Sequence, residues 1–371
     1  MKFFDRDREI KLLRRTRELS HESAQFTVMQ KRPVTVMIDE FQDFMRVDKS
    51  VFSDMQRIWD LHKDNSMMNL VVCGSINSLM NKIFINSKEP LYGRQTSTLK
   101  VRPFPPSILK EILHTYNPGF QPEDLLSLYL YTGGVAKYVE LLVSHGALTA
   151  EAMLDDVINA DSFFLAEGKG MLVEEFGRDF GMYFSILSLI ARGHTTRNDI
   201  EGILHTEIGG YLSRLQDEYE LVNREQPLFE KSANKNVHYA IHDNFLRFWF
   251  RFVYKYSYML EMGAYDKLRT IVRRDYPTYS GKILEDYFKE KLKESGVYTR
   301  IGSWHDRKGE NEIDIIAADE LEWKATFYEV ERQAKDIDLA ILRAKADTFL
   351  KTTGQFKGYD ISYRGLSMDD M

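Results

Sequence analysis

The chain has 371 residues, 43% of them hydrophobic and 29% charged, with a formal net charge of -6. That balance gives no bulk case for nucleic-acid binding, although it leaves room for a local basic face. The length calls for two or three domains, and a single cysteine, Cys73, excludes an internal disulfide or a cysteine-ligated zinc site.

The opening segment MKFFDRDREIKLL is charged throughout and lacks the apolar stretch of a signal peptide. The longest apolar runs fall far short of a membrane span. A cytoplasmic protein with no membrane partner is expected. Residues 1 to about 124 alternate short apolar runs with helical patterns, an α/β rhythm. Val34 to Asp39 (VTVMID) and Asn69 to Ser75 (NLVVCGS) read as buried strands, with an amphipathic helix from Ser53 to Lys63 between them. The first strand ends in two carboxylates, Asp39 and Glu40. Open α/β sheets bind ligands at such carboxyl-terminal strand edges. A buried strand ending in solvated acids is the plainer alternative.

From Leu125 to about 260 the pattern is mainly helical. Residues 125–180 form a helical, lid-like segment, and 181–260 carry a helix–helix–helix–hairpin order. Met182 to Arg192 is an apolar-faced helix closed by Gly193, and Thr196 caps a second helix from Arg197 to Leu204. A third helix spans Ile208 to Tyr219, and a hairpin runs from Leu221 to Ile241. This order suits a winged helix, but its third helix offers Arg214 and Gln216 for base readout against Glu207, Asp217 and Glu218. A packing or dimerising module is the alternative. The aromatic run from Phe245 to Tyr258 suits core and interface.

Residues 261–371 read as a helix (Gly281 to Ser295), strands VYTRIG, EIDIIAA and TFYEVER, a helix (Ile337 to Leu350) and a last strand, FKGYDISY.

Taken together, FFDRDREIKLL, VTVMIDEFQDF, LVVCGSINSLM, LYGRQT, TGGVAKYVE, DNFLRFWFRF and GENEIDIIA resemble prokaryotic P-loop ATPases of the STAND/AAA-like class that carry a winged helix and a nuclease-like C-terminal domain. The resemblance implies a multidomain α/β fold, with ATP and Mg²⁺ as ligands. In it Asp39 holds the hydrated metal, Glu40 polarises the attacking water, Ser75 senses the γ-phosphate and Arg94 meets a phosphate. Phe4 and Arg6 flank an adenine, and Gly133 and Gly134 lie near the nucleotide.

The family's first strand should lead into a Gly-rich loop ending in Gly-Lys-Ser or Gly-Lys-Thr. No GxxxxGK[ST] occurs in this sequence. Gln25 to Met29 resembles that first strand, but Val34 follows after only Gln30-Lys-Arg-Pro33. Five steps of chain reach at most about 18 Å, whereas returning along a five-residue strand alone uses about 17 Å. The two segments cannot both be parallel strands in the family's places, so an incomplete sheet is expected, with Val34–Asp39 beside Leu70–Ser75.

The last region resembles the PD-(D/E)XK nuclease fold. Glu285 would approach from the helix, and Asp314 and Glu329 would converge from adjacent strands on a weakly held Mg²⁺ or Mn²⁺. The family's lysine position is occupied by Glu331, a carboxylate where a cation should stabilise the attacking hydroxide. Lys289 or Lys345 could reach in from a helix. The expectation is a protein degenerate at both sites, acting as a DNA-associated or protein-interaction module or through self-association. A metal-dependent nuclease with a relocated lysine, and a deleted form of an active ATPase, are the alternatives.

Overall fold

A computed structural model describes residues 34–64, 67–75, 77–176, 180–229, 237–306 and 311–371. The chain divides into two compact units, one ending at Arg102 and the other running from Pro103 to Met371. The three C-terminal regions expected from sequence therefore share one unit. The expected strand Gln25–Met29, and Phe4 and Arg6, lie outside the described residues. Among the described residues no helix is long and apolar enough to cross a membrane.

In the first unit, β1 (Val34–Ile38) and β2 (Met68–Val72) pair in parallel, Val34 opposite Met68 and Ile38 opposite Val72. Parallel strands need a crossover, and α1 (Ser50–His62) lies within it. Phe41, Phe52, Ile83 of α2 (Asn77–Ile85) and Leu91 form the core beside this pair. The expected pairing of the two apolar runs is present.

The second unit is built around α4 (Pro122–Thr132), which follows α3 (Pro106–Tyr116) and is buried over most of its length. Proline at its first position suits a helix start, and the Asp124 carboxylate accepts the Gln121 amide at 2.8 Å. Gly133 and Gly134 end the helix with φ of 56° and 80°. A Cβ on Gly134 would stand 2.2 Å from the Phe104 carbonyl oxygen. These glycines thus serve a helix terminus pressed against backbone.

Helices α5 (Ala136–Ser144), α6 (Ala150–Val157) and α7 (Phe163–Phe176) follow. Then come α8 (Phe180–Ala191), α9 (Arg197–Leu204) and α10 (Gly209–Ser213), the last continued by a wider turn over Arg214–Glu218. The Thr196 hydroxyl accepts the Asp199 amide at 3.2 Å, the expected cap, and Gly193 closes α8 with φ 103°. Strands β3 (Val222–Glu225) and β4 (His238–Ile241) pair antiparallel. Next are α11 (Asn244–Phe248), α12 (Ser257–Glu261) and α13 (Tyr265–Glu294).

Helix α13 corrects the expected start at Gly281: it runs for 30 residues straight through Pro277. An internal proline removes a helical hydrogen bond and crowds the preceding turn. Burial of Leu268, Val272, Ile283 and Leu284 on both sides of it offsets that cost.

The last four strands, β5 (Arg300–His305), β6 (Glu312–Asp319), β7 (Lys324–Val330) and β8 (Asp360–Leu366), form one sheet in chain order. The first two pairings are antiparallel and the last is parallel, with α14 (Leu339–Thr353) as its crossover. Trp304, Ile313, Ile316, Phe327, Leu342 and Phe349 form the core against α14.

Candidate functional sites

The carboxyl-terminal end of β1 delivers Asp39 and Glu40 together, with Glu40 in the left-handed region at φ 48°. Among the described residues, their hydrogen-bond partners are neutral. Cys73, just beyond β2, donates its thiol to Asp39 Oδ1 at 3.1 Å, and the Glu40 amide reaches the same oxygen at 3.0 Å. Ser75 donates its hydroxyl to Glu40 Oε2 at 2.9 Å, and the Gln42 amide nitrogen donates to that oxygen as well. The thiol contact holds the Asp39 carboxyl below its ordinary range. Gln42, then Ser75, do the same for Glu40. The Asp39 contact in turn pushes the Cys73 thiol up. Ser75 and the two acids, singled out from sequence, therefore do meet. Cys73 and Gln42 were missed because a lone cysteine and a glutamine belong to no motif that points to this site.

Arg94 stands elsewhere in this unit. Its guanidinium grips Asp60 through Nε at 3.1 Å and Nη2 at 2.7 Å, and Nη1 donates to the Pro90 carbonyl at 2.8 Å. A bidentate pair of this kind fixes the fork on its own carboxylate. Gly133 and Gly134, in the second unit, touch Asn244 and Phe104.

The second acidic site lies between α13 and the last sheet. Carboxylate oxygens of Glu285, Glu312 and Asp314 all come within 4.8 Å of one another. Glu285 and Asp314 join as expected, whereas the carboxylate of Glu329 takes a different direction and meets Lys345 of α14, with Nζ to Oε1 at 3.1 Å. The reason is local. Ile313 and Ile316, three apart, both enter the core against α14, which regular two-residue alternation forbids. The register shifts opposite Gly302 and Trp304, where β6 takes one more step than β5. That extra residue turns Asp314 toward α13 and lets Glu312 stand beside it.

Burial, then the charge of Glu285, pushes the Asp314 carboxyl up to about 7, although the Val330 amide donates to its Oδ2 at 2.7 Å. Burial also raises Glu285, despite Lys282 at 2.8 Å and Lys289 at 3.8 Å. Glu331 is raised by partial burial and by the neighbouring charge of Glu329, with Lys345 opposing. Both lysines considered from sequence thus approach the acids, one on each side of the sheet. Arg332 donates through Nη1 to Ser280 of α13, and its Nη2 lies 2.6 Å from Glu123 Oε2 of α4.

Three oxygen donors at this spacing suit a hard divalent cation. Glu285, Glu312 and Asp314 would hold it, and it would supply Lewis-acid stabilisation of a phosphoryl oxygen and a more acidic water. The first site suits its ligand less well. A nucleotide triphosphate needs cationic and amide donors, and the Asp39–Glu40 pair is met by a thiol, a hydroxyl and an amide side chain.

Comparison with known proteins adds three findings. Residues 16–142 match an ATPase domain found predominantly in Archaea. Residues 249–345 match a family of archaeal and bacterial proteins of unknown function. An uncharacterized protein of Methanocaldococcus jannaschii is 33% identical over 316 residues, covering 82% of this chain and 69% of the relative.

Proposed function

We propose, from the premise that this chain belongs to the archaeal and bacterial ATPase family, that it does not hydrolyse ATP by itself and works as a binding module. The observation that carries this is that, among the described residues, the acidic pair takes its hydrogen bonds from neutral groups, the Cys73 thiol, the Ser75 hydroxyl and the Gln42 amide. The Gly-rich loop and its lysine are absent from the sequence, and Arg94 is committed to Asp60. A phosphate clamp needs an uncommitted cation.

In this reading the second unit carries the interaction surfaces. Helices α8 to α10 with the β3–β4 hairpin form a winged helix, and α13 to β8 form a restriction-endonuclease-like domain. Its third helix is poorly suited to reading bases. Arg214 lies 3.3 Å from the Tyr183 hydroxyl and 3.8 Å from Glu218, and Gln216 donates to Asp217 at 3.0 Å. This favours a protein partner over base readout for that helix. Phosphate release from Mg-ATP by the full chain tests the main claim. The expected rate equals the buffer blank, and turnover that disappears in Asp39→Ala would overturn it.

A second reading, a metal-dependent nuclease, is favoured by the convergence of Glu285, Glu312 and Asp314. Lys289, 3.8 Å from Glu285, supplies the relocated cation on that side of the sheet. Metal-dependent DNA cleavage lost in Asp314→Ala would establish this reading.

A further inference from the structure

Helix α13, strand β3 and strand β5 enclose a cleft of about 630 Å³ in the second unit, within the size range of small-molecule sites. Lys289 and Lys293, one turn apart on α13, share one helix face and both line it. Arg224 of β3 and His242 stand among the other lining residues.

Lys289 decides the chemistry. Its side chain keeps only 15% of its exposure, yet its nearest acids, Glu285 and Asp286, are 3.8 and 3.9 Å away. Those distances lie beyond hydrogen-bond reach. Its ammonium hydrogens are therefore not tied to either carboxylate, and an anion in the cleft would accept from them. Lys293 pairs with Glu290 at 2.6 Å where both are about half exposed, a contact that is easily exchanged.

Two acids, Glu220 and Glu225, also line the cleft. Glu225 also favours the charged forms of Arg247 and Lys282. The Asn223 amide lies 2.9 Å from His242 Nδ1. With Nδ1 accepting from that amide, the neutral ring carries its proton on Nε2 and offers another donor.

We infer that this cleft binds the phosphate of a nucleotide-sized ligand, with Lys289 and Lys293 as its anchors. The ligand is either a free nucleoside monophosphate or the phosphorylated end of an oligonucleotide. The inference is independent of the Asp39–Glu40 site, which lies in the other unit.

The test is fluorescence anisotropy at low salt on the full chain, using a 3′-labelled oligothymidylate with a 5′-phosphate and the same probe with a 5′-hydroxyl. The phosphorylated probe should bind at least roughly tenfold more tightly, as a charge-assisted contact requires. Lys289→Gln and Lys293→Gln should each remove most of that difference, while Asp39→Ala keeps it. Displacement by thymidine 5′-monophosphate identifies a free nucleotide as sufficient, and its failure to displace identifies the strand end. Equal binding of the two probes overturns the inference, as does an unchanged preference in folded Lys289→Gln or loss of the preference in Asp39→Ala. If Lys289→Gln melts early, the more exposed Lys293→Gln decides alone.

Discussion

Lys345 Nζ lies 3.1 Å from Glu329 Oε1, bringing a cation from α14 to the carboxyl-terminal end of β7. Both side chains are largely buried, and the other Glu329 oxygen is buried without a hydrogen-bond partner. Removing the cation from such a pair leaves an uncompensated charge, which costs more than the pair contributes. Lys345→Met should destabilise the chain by about 1–3 kcal/mol in urea. Glu329→Gln in the same background should recover part of that loss. Additive effects of the two substitutions would show that the contact carries no coupling.

Asp314 gives a stability difference with a defined sign. Its folded value of about 7 lies above the ordinary 3.8, so between these values the folded chain holds more protons than the unfolded one. Stability therefore falls as pH rises from about 4 to about 7 and stays lower above that. Asp314→Asn should raise the melting temperature at pH 8, by the equivalent of roughly 1–3 kcal/mol, with the gain shrinking toward pH 4. A gain that is constant with pH would contradict the assigned cause. Mg²⁺ or Mn²⁺ should stabilise the native chain at pH 8 and leave Asp314→Asn unmoved, if the acids hold a cation.

Gly134 and Gly170 make a contrasting pair. A Cβ at Gly134 meets the Phe104 carbonyl oxygen at 2.2 Å and sits at φ +80°, whereas a Cβ at Gly170 meets nothing within 4 Å. Gly134→Ala should cost about 2–4 kcal/mol. Gly170→Ala, inside α7, should be stabilising by up to about 1 kcal/mol. Urea midpoints of the two variants decide it, and equal midpoints would mean that the helix terminus relaxes freely.

Much of this architecture was legible in the sequence because it rests on local rules. The apolar runs at 34–38 and 68–72 pair as their composition suggests, and the Thr196 cap and Gly193 terminator bound their helices as the residue types require. The misses come from tertiary context. The helix was expected only from Gly281, yet the core on both sides of Pro277 carries α13 through it. Glu312 reads as the polar start of a strand, and only the extra residue in β6 puts it beside Asp314. The same irregularity separates Asp314 from Glu329, which strict alternation would have kept together. Lys289, two helical turns beyond Lys282, carries no local signal of the cleft it lines.

Nuclease activity gives a sharper test of the second unit. Glu331, expected to share the cleft of the metal-binding acids, stands instead near Glu329 and Lys345, on the α14 side of the sheet and away from Glu285, Glu312 and Asp314. No cleavage of DNA is expected from the native chain with Mn²⁺, and Glu331→Lys should not raise it, because the new cation would stand on the other side of the sheet from Asp314. Cleavage by the native chain that is lost in Asp314→Ala would favour the relocated lysine.

Titration calorimetry of Mg-ATP into the full chain bears most directly on the central claim. Asp39 and Glu40 take hydrogen bonds from the neutral groups of Cys73, Ser75 and Gln42, and the sequence supplies no phosphate-cradling loop. The account predicts no saturable heat in the micromolar range. Micromolar binding that disappears in Asp39→Ala would contradict it.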